Sequence, residues 1–171
     1  MAVLNPDKSH VLLGQRSSTA PIFAKKWTLP GGHLDHVDAE SPLILSDSLQ
    51  SIFQNIVPKP SGLTLQQALN AGLRELKEET GYDLTSDVQA ISTAKLLGWA
   101  EIDGRAGDKI VTFYFSLIGE TQRELNIVSH EYSQLQWLDR AAILENDLAP
   151  KSKGACIRAL SHPNQHNEHE I

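Results

Sequence analysis

The stretch TLQQALNAGLRELKEETGY, residues Thr64 to Tyr82, decides the fold. Leu65, Leu69, Leu73 and Leu76 recur at spacings of three and four, the period of a helix that buries one stripe. Both ends carry stop signals. Thr64 with Gln67 has the capping-box pattern, and Gly81 stands where a left-handed C-terminal cap is wanted, with Tyr82 placed to pack back on Leu76. The last turns are chemically unusual. Glu75, Glu78 and Glu79 lie three and four residues apart, so they share a face, and they crowd the end where the helix dipole is negative. Arg74 can pair with Glu78, although Arg before Glu is the weaker order for such a pair. Two readings stay open for these carboxylates: a solvated charged face, or the bed of a hard divalent cation, since oxygen-rich sites suit magnesium, manganese or calcium.

Upstream, WTLPGGHLD (Trp27 to Asp35) sets a double glycine just after a short apolar run, which allows backbone to approach a ligand closely. Taken with Arg74-Glu75-Leu76-Lys77-Glu78-Glu79-Thr80-Gly81-Tyr82, it resembles the Nudix box, G-x5-E-x7-R-E-U-x-E-E-x-G-U with U apolar. The second half of the box agrees position for position, and the chain resembles the MutT-like Nudix hydrolases loosely over residues 1 to about 160. The first half departs from the pattern. Gly32 and Arg74 are 42 positions apart, 28 more than the box allows, so a segment is inserted. Counting back from Arg74, the first Glu of the box falls on Gln66, which carries no negative charge. Either that carboxylate is lost, or Glu40 supplies it from before the insertion.

The resemblance implies an α/β fold: a Nudix α/β/α sandwich with a mixed central β-sheet, here with an inserted helix between the glycine loop and the box helix. It implies hydrolysis of a nucleoside diphosphate linked to another group X, with Mg²⁺ or Mn²⁺ held by Glu75, Glu78 and Glu79 and by the carbonyl of Gly31 or Gly32. Arg74 then orients the cluster, and Glu78 or Glu131 accepts the proton of the attacking water. Glu131 stands six residues before Trp137, where MutT-like members carry a further metal-binding carboxylate in a loop, and Glu120 competes with it for that role. The TLPGG run, the loop after Gln15-Arg16 and the aromatic strand resemble MutT-type nucleoside triphosphate pyrophosphohydrolases more than other branches of the family, which implies that activity. The alternatives are a nucleotide-sugar or dinucleotide hydrolase, or a domain that senses a nucleotide without cleaving it.

The rest of the chain supplies further candidates. Ala2 to Leu4 and His10 to Arg16 read as a hairpin around Asn5-Pro6-Asp7, and Arg16 is a candidate phosphate contact against the plainer reading of an exposed strand charge. Trp27 opens an apolar strand and reads as core rather than as a base-stacking platform. The segment 37–62 contains Ser41-Pro42 followed by Leu45, Leu49, Ile52, Phe53 and Ile56, an extra helix ended by Pro58 and Pro60. Its stripe is covered by its own domain, by a second subunit in a homodimer, or by substrate. Val88 to Ile102 reads as one or two strands, and 101–108 as a Gly-rich turn. Lys109 to Ile118 reads as a strand with Val111, Phe113 and Phe115 alternating against Thr112, Tyr114 and Ser116. Trp99 and Tyr114 are candidate stackers for a base. Leu138-Asp139 starts a helix through Asn146, and Ser152 caps another through Leu160. The polar stretch 161–171, with His162, His166 and His169, reads as a disordered tail.

Composition bounds the partners. At 171 residues and 40% hydrophobic content the chain can bury one good core, so residues 1–160 are expected to form a single domain. A net charge of −6 argues against a general grip on nucleic-acid polymers, while a cation can still neutralise the diphosphate of a small nucleotide substrate. A lone cysteine excludes an internal disulfide and suits a reducing compartment, and no apolar run approaches a membrane span. The expectation is a cytoplasmic protein with no membrane contact.

Overall fold

The computed structural model describes residues 1–35, 64–103, 109–121 and 125–161, with backbone alone at 101–103 and 109–110. Glu40, the inserted segment with its candidate dimer contact, the 104–108 part of the Gly-rich turn and the tail from His162 onward lie outside the described residues.

β1 (Ala2–Leu4) and β2 (His10–Arg16) pair antiparallel across the Asn5-Pro6-Asp7 turn, with Leu4 opposite Val11. The short β3 (Trp27–Thr28) pairs antiparallel with β2 at Gly14 and Gln15. β5 (Lys109–Ile118) runs parallel to β1, and β4 (Lys95–Asp103) runs antiparallel to β5. β6 (Tyr132–Asp139) pairs antiparallel with β2 from His10 to Arg16. The result is a mixed sheet in the order β3-β2-β1-β5-β4, with β6 also on β2.

Period-two alternation gives this sheet two apolar faces. Val3, Leu12, Phe115 and Leu117 face α1 (Leu65–Thr80) and α2 (Val88–Ser92). Ala2, Leu4, Val11, Leu13 and Leu138 face α3 (Arg140–Glu145) and α4 (Ser152–Ser161). The architecture is therefore helices on both sides of a mixed sheet, as the resemblance implied. Trp27 is buried in the second cluster. Among the described residues no helix is long and apolar enough to cross a membrane.

α1 forms as its sequence directs. Thr64 and Gln67 make both bonds of the capping box, and Gly81 takes the left-handed cap at φ 68° with its N–H donating to Lys77. Leu65, Leu69, Leu73 and Leu76 are buried, each burial stabilising by roughly 2 kcal/mol. Several boundaries differ from the sequence reading: 101–103, read as turn, continue β4, and Ser152, read as a cap, is the first residue of α4. Val88 to Ser92 is a helix, not a strand, because the Asp87 side chain accepts the N–H of Ala90 and sets an N-cap, while Ala90 and Ile91 turn inward together. Leu138 and Asp139 end β6 instead of starting a helix; Asp139 is the N-cap of α3, accepting from the N–H of Ala142.

One feature of the sheet makes the site. A strand has two edges, and β6 takes one edge of β2, so β1 and β3 share the other: β1 at Val11, β3 at Gly14 and Gln15. β1 meets β5 only at Ser116 to Ile118. Beyond the start of β1, β5 has no strand partner on that side among the described residues and does not pair with β3. The gap between them is a cleft of about 640 Å³, walled by Thr28 to Leu34 and by Val111 to Phe115, with Met1 at its floor.

Candidate active site

The glycine loop, the end of α1 and the start of β6 meet at the cleft. Glu79 is the innermost carboxylate, 5% exposed, because it continues the buried stripe three residues past Leu76. Its Oε2 accepts the N–H of Gly31 at 2.8 Å and the hydroxyl of Tyr132 at 3.3 Å. Burial pushes its pKa up to about 7; the Gly31 bond opposes this, and the charges of Glu75 and Glu131 add to it. Glu75 lies at the rim of the buried zone, and Glu78 has a side chain 56% exposed. The shared face read from spacing is thus a gradient, from Glu79 inside to Glu78 at the surface.

Arg74 ties the cluster to the glycine loop. Its Nη1 donates to Glu75 at 3.1 Å and to Glu78 at 2.9 Å, and its Nη2 donates to the carbonyl of His33 at 2.8 Å. Gly32 packs directly on Glu75: a Cβ there would run into the carboxylate. Only glycine allows that approach.

The opposite wall is built by contacts distant in sequence. Arg16 Nη1 pairs with Glu131 Oε2 at 2.5 Å, at the point where a register shift between Gln15 and Arg16 interrupts the β2–β6 ladder. The Arg16 side chain is 11% exposed, and its buried Nε has no hydrogen-bond partner among the described residues. The plain reading of Arg16 as an exposed strand charge is therefore corrected. Glu131 sits immediately before β6, and its backbone carbonyl accepts the N–H of Ser17 at 2.7 Å. Glu120 lies at the end of β5, where its backbone carbonyl accepts the Tyr82 hydroxyl. Of the two carboxylates, Glu131 is the one whose charge reaches Glu79.

The sequence reading passed over Tyr132. Its ring fills the space over Gly14, where a Cβ would lie 2.6 Å from ring carbons, and its hydroxyl stands between Thr28 Oγ1, at 3.2 Å, and Glu79. Burial and the nearby Glu79 charge hold this phenol protonated well above the usual tyrosine range. A glycine inside the apolar run Val11-Leu12-Leu13-Gly14 was the available signal for such a close approach. Phe23 was also missed. It lines the cleft from the loop between β2 and β3, where Phe23 and Lys25 hold φ of 52° and 63°. That region costs a side-chain-bearing residue about 1 kcal/mol or more.

The structure gathers Arg16, Gly31, Gly32, Arg74, Glu75, Glu78, Glu79 and Glu131 around one end of the cleft, and Tyr114 lines its wall. It does not bring in Trp99. That residue is on β4, one strand beyond the cleft wall, opposite Phe113 and 37% exposed, so its candidacy as a stacker is withdrawn. Gln66 is remote as well. It lies nine residues before Glu75, roughly 13 Å along the helix axis, and donates to Asn70.

The donors suit a hard divalent ion. They are carboxylate oxygens and peptide carbonyls, and among the described residues Glu75, Glu78 and Glu79 each keep one carboxylate oxygen outside the hydrogen bonds just given. As the side chains stand, no three or more Asp, Glu, His or Cys side chains among the described residues are arranged to hold a metal ion, so the carboxylates would have to turn toward one another to bind it. The loop's glycine approach and the mutual repulsion felt by Glu79 are what a cation would offset.

No family model matches the sequence, and no curated protein matches it. Solved structures do. The Nudix hydrolase of Alicyclobacillus acidocaldarius superposes with a TM-score of 0.64 at 13% identity, covering 95% of this chain and 91% of that one. The Nudix domain of Shewanella oneidensis NrtR, in complex with ADP ribose, gives 0.58 at 21% identity, covering 92% and 81%. The MutT protein of Methanosarcina mazei Go1 gives 0.56 at 19%, covering 92% and 87%. This chain has the Nudix fold, with the segment that resembles the box helix at the place described above.

Proposed function

We propose that this protein is a divalent-metal-dependent hydrolase of the Nudix type that cleaves a phosphoanhydride bond of a nucleoside diphosphate linked to X, with a nucleoside triphosphate as the preferred substrate class. The observation that supports this most directly is the convergence of Glu75 and Glu79 on the glycine loop of a nucleotide-sized cleft, with the charge of Glu131 reaching Glu79.

Glu75, Glu78 and Glu79, with a carbonyl of Gly31 or Gly32, are the residues that would hold Mg²⁺ or Mn²⁺. Such an ion supplies charge neutralisation of the phosphates and a lowered pKa for water. The chain's own groups do the rest. Arg74 fixes Glu75 and Glu78 relative to the loop through its bond to His33. Arg16 offers a buried guanidinium to a phosphate oxygen, with its Nε available for a further bond. Glu131 or Glu78 accepts the proton of the attacking water. Tyr132 stays protonated and holds Glu79.

The test is release of pyrophosphate or phosphate from a panel of nucleoside triphosphates, nucleotide sugars and dinucleotides in Mg²⁺. Turnover of a triphosphate to monophosphate and pyrophosphate is the expected result. Tight binding of one ligand with no turnover of any would replace the enzyme with a nucleotide sensor, the reading left open by Gln66.

A further inference from the structure

Eight large hydrophobic side chains are exposed among the described residues, and three of them, Ile22, Phe23 and Leu34, line the cleft described above. Exposed apolar groups gathered on a concave surface mark a place where something apolar binds. The same cleft is lined by Arg16, Thr28 and Tyr132, of which Arg16 pairs with Glu131 and Tyr132 bonds Glu79. A ligand that suits this lining carries a flat apolar part and an anionic part.

We propose that Phe23 is the stacking platform for the nucleobase of the substrate, which makes the lip of the β2–β3 loop the element that selects base-bearing phosphoanhydrides. This deepens the reading of the cleft as a nucleotide site and rests on it. Among the aromatic residues at the cleft, Phe23 has the freest ring. Phe113 packs against the cluster around α1, and Tyr114 against the cluster around α4. Tyr132 is buried over Gly14. Phe23 belongs to neither core cluster and is 42% exposed.

Its backbone is held for that purpose. Folding gains little from an exposed phenylalanine, and a left-handed φ at that residue adds strain, so packing does not explain the choice. The conformation is enforced by backbone bonds: Lys26 N–H donates to Phe23, Lys25 N–H to Arg16, and Arg16 N–H to Lys26. The same loop is tied to the catalytic side by the bond from Ser17 N–H to the carbonyl of Glu131. The backbone that carries the ring is thereby tied to the segment that carries Glu131.

The experiment compares wild type, Phe23→Gly and Phe23→Trp by calorimetry. The probes are an α,β-methylene nucleoside triphosphate with Mg²⁺, in adenosine and guanosine forms, and inorganic pyrophosphate as a base-free control. Glycine takes the φ of residue 23 without strain, so the Phe23→Gly melting temperature should equal or exceed that of wild type. Phe23→Gly is expected to weaken nucleotide binding by about 5- to 150-fold, the range for loss of one base–aromatic stack, while pyrophosphate binding is unchanged and Phe23→Trp keeps wild-type affinity. Nucleotide affinity of Phe23→Gly within twofold of wild type overturns the proposal. So does equal loss of nucleotide and pyrophosphate, or failure of wild type to bind either analogue. Hydrolysis of natural triphosphates, assayed on the same samples, judges the enzyme reading separately: wild type that binds without turnover ends that reading and leaves the platform to the binding ratios.

Discussion

Gly32 and the carboxylate of Glu75 occupy adjoining space so closely that a methyl group on residue 32 would overlap it. The loop backbone and this carboxylate are therefore fitted to each other, and Gly32→Ala must push the Glu75 carboxylate out of its place. A misplacement of about 1 Å in a reacting constellation can cost on the order of a hundredfold. Gly32→Ala is expected to lower kcat/KM by at least tenfold and to weaken Mn²⁺ binding, read by titration without nucleotide, with little change in melting temperature. Wild-type Mn²⁺ affinity in that variant would show that the approach has no functional meaning.

Glu78→Gln leaves the size of a mostly exposed side chain unchanged and removes one charge from a mutually repelling group. Turnover is expected to fall by at least a hundredfold while the circular dichroism spectrum and melting temperature stay as in wild type. Activity near that of wild type counts against the proposed mechanism.

The buried Glu79 makes stability depend on pH. Its folded pKa, about 7, lies above the ordinary 4.5, so between these values the native state keeps a proton that the unfolded chain has released. Stability from this group is complete below about 4.5 and is lost as pH rises through about 7, by at most roughly 3 kcal/mol. In a chelator, wild type should lose melting temperature from pH 5 to 8 relative to Glu79→Gln, and Mg²⁺ should remove the difference by favouring the carboxylate. Parallel curves for the two proteins in chelator would contradict the assignment.

Tyr132→Phe removes only the hydroxyl that stands between Thr28 and Glu79. The lost hydrogen bonds cost about 1 kcal/mol of stability. If the hydroxyl orients Glu79, the Mg²⁺ concentration for half-maximal activity rises several-fold while KM for nucleotide stays within twofold. A change in KM alone would assign the hydroxyl to substrate instead.

Cys156 is buried in the cluster beneath α4, and burial raises its thiol pKa to about 12. Thiol-specific alkylation at pH 8 should be at least a hundredfold slower in the folded protein than in denaturant. Rapid labelling of native protein would mean that α4 opens readily.

Much of the fold was legible in the sequence because its signals are local. The leucine stripe, the capping box at Thr64 and Gln67, and Gly81 at the C-cap each act within one or two helical turns. Strands β1, β2 and β5 were visible as apolar runs bounded by turn residues. Val88 to Ser92 was misread because a five-residue helix is too short to display a period, and only the Asp87 cap marks it. Trp99 was proposed as a stacker from residue type alone. Its position was settled by the pairing of β4 outside β5.

By itself the sequence determined the helix from Leu65 to Thr80, its two caps, and the spacing that presents Glu75, Glu78 and Glu79 together, since bonds within one turn set all of these. Only the tertiary structure decided which carboxylate is buried, that Arg16 meets Glu131 across 115 positions, that Tyr132 rests on Gly14, and that the cleft opens where β1 begins too late to join β5 to β3. Those outcomes depend on strand register and on how far each strand extends. Such quantities come from the balance of many long-range contacts, and no short stretch of residues encodes them.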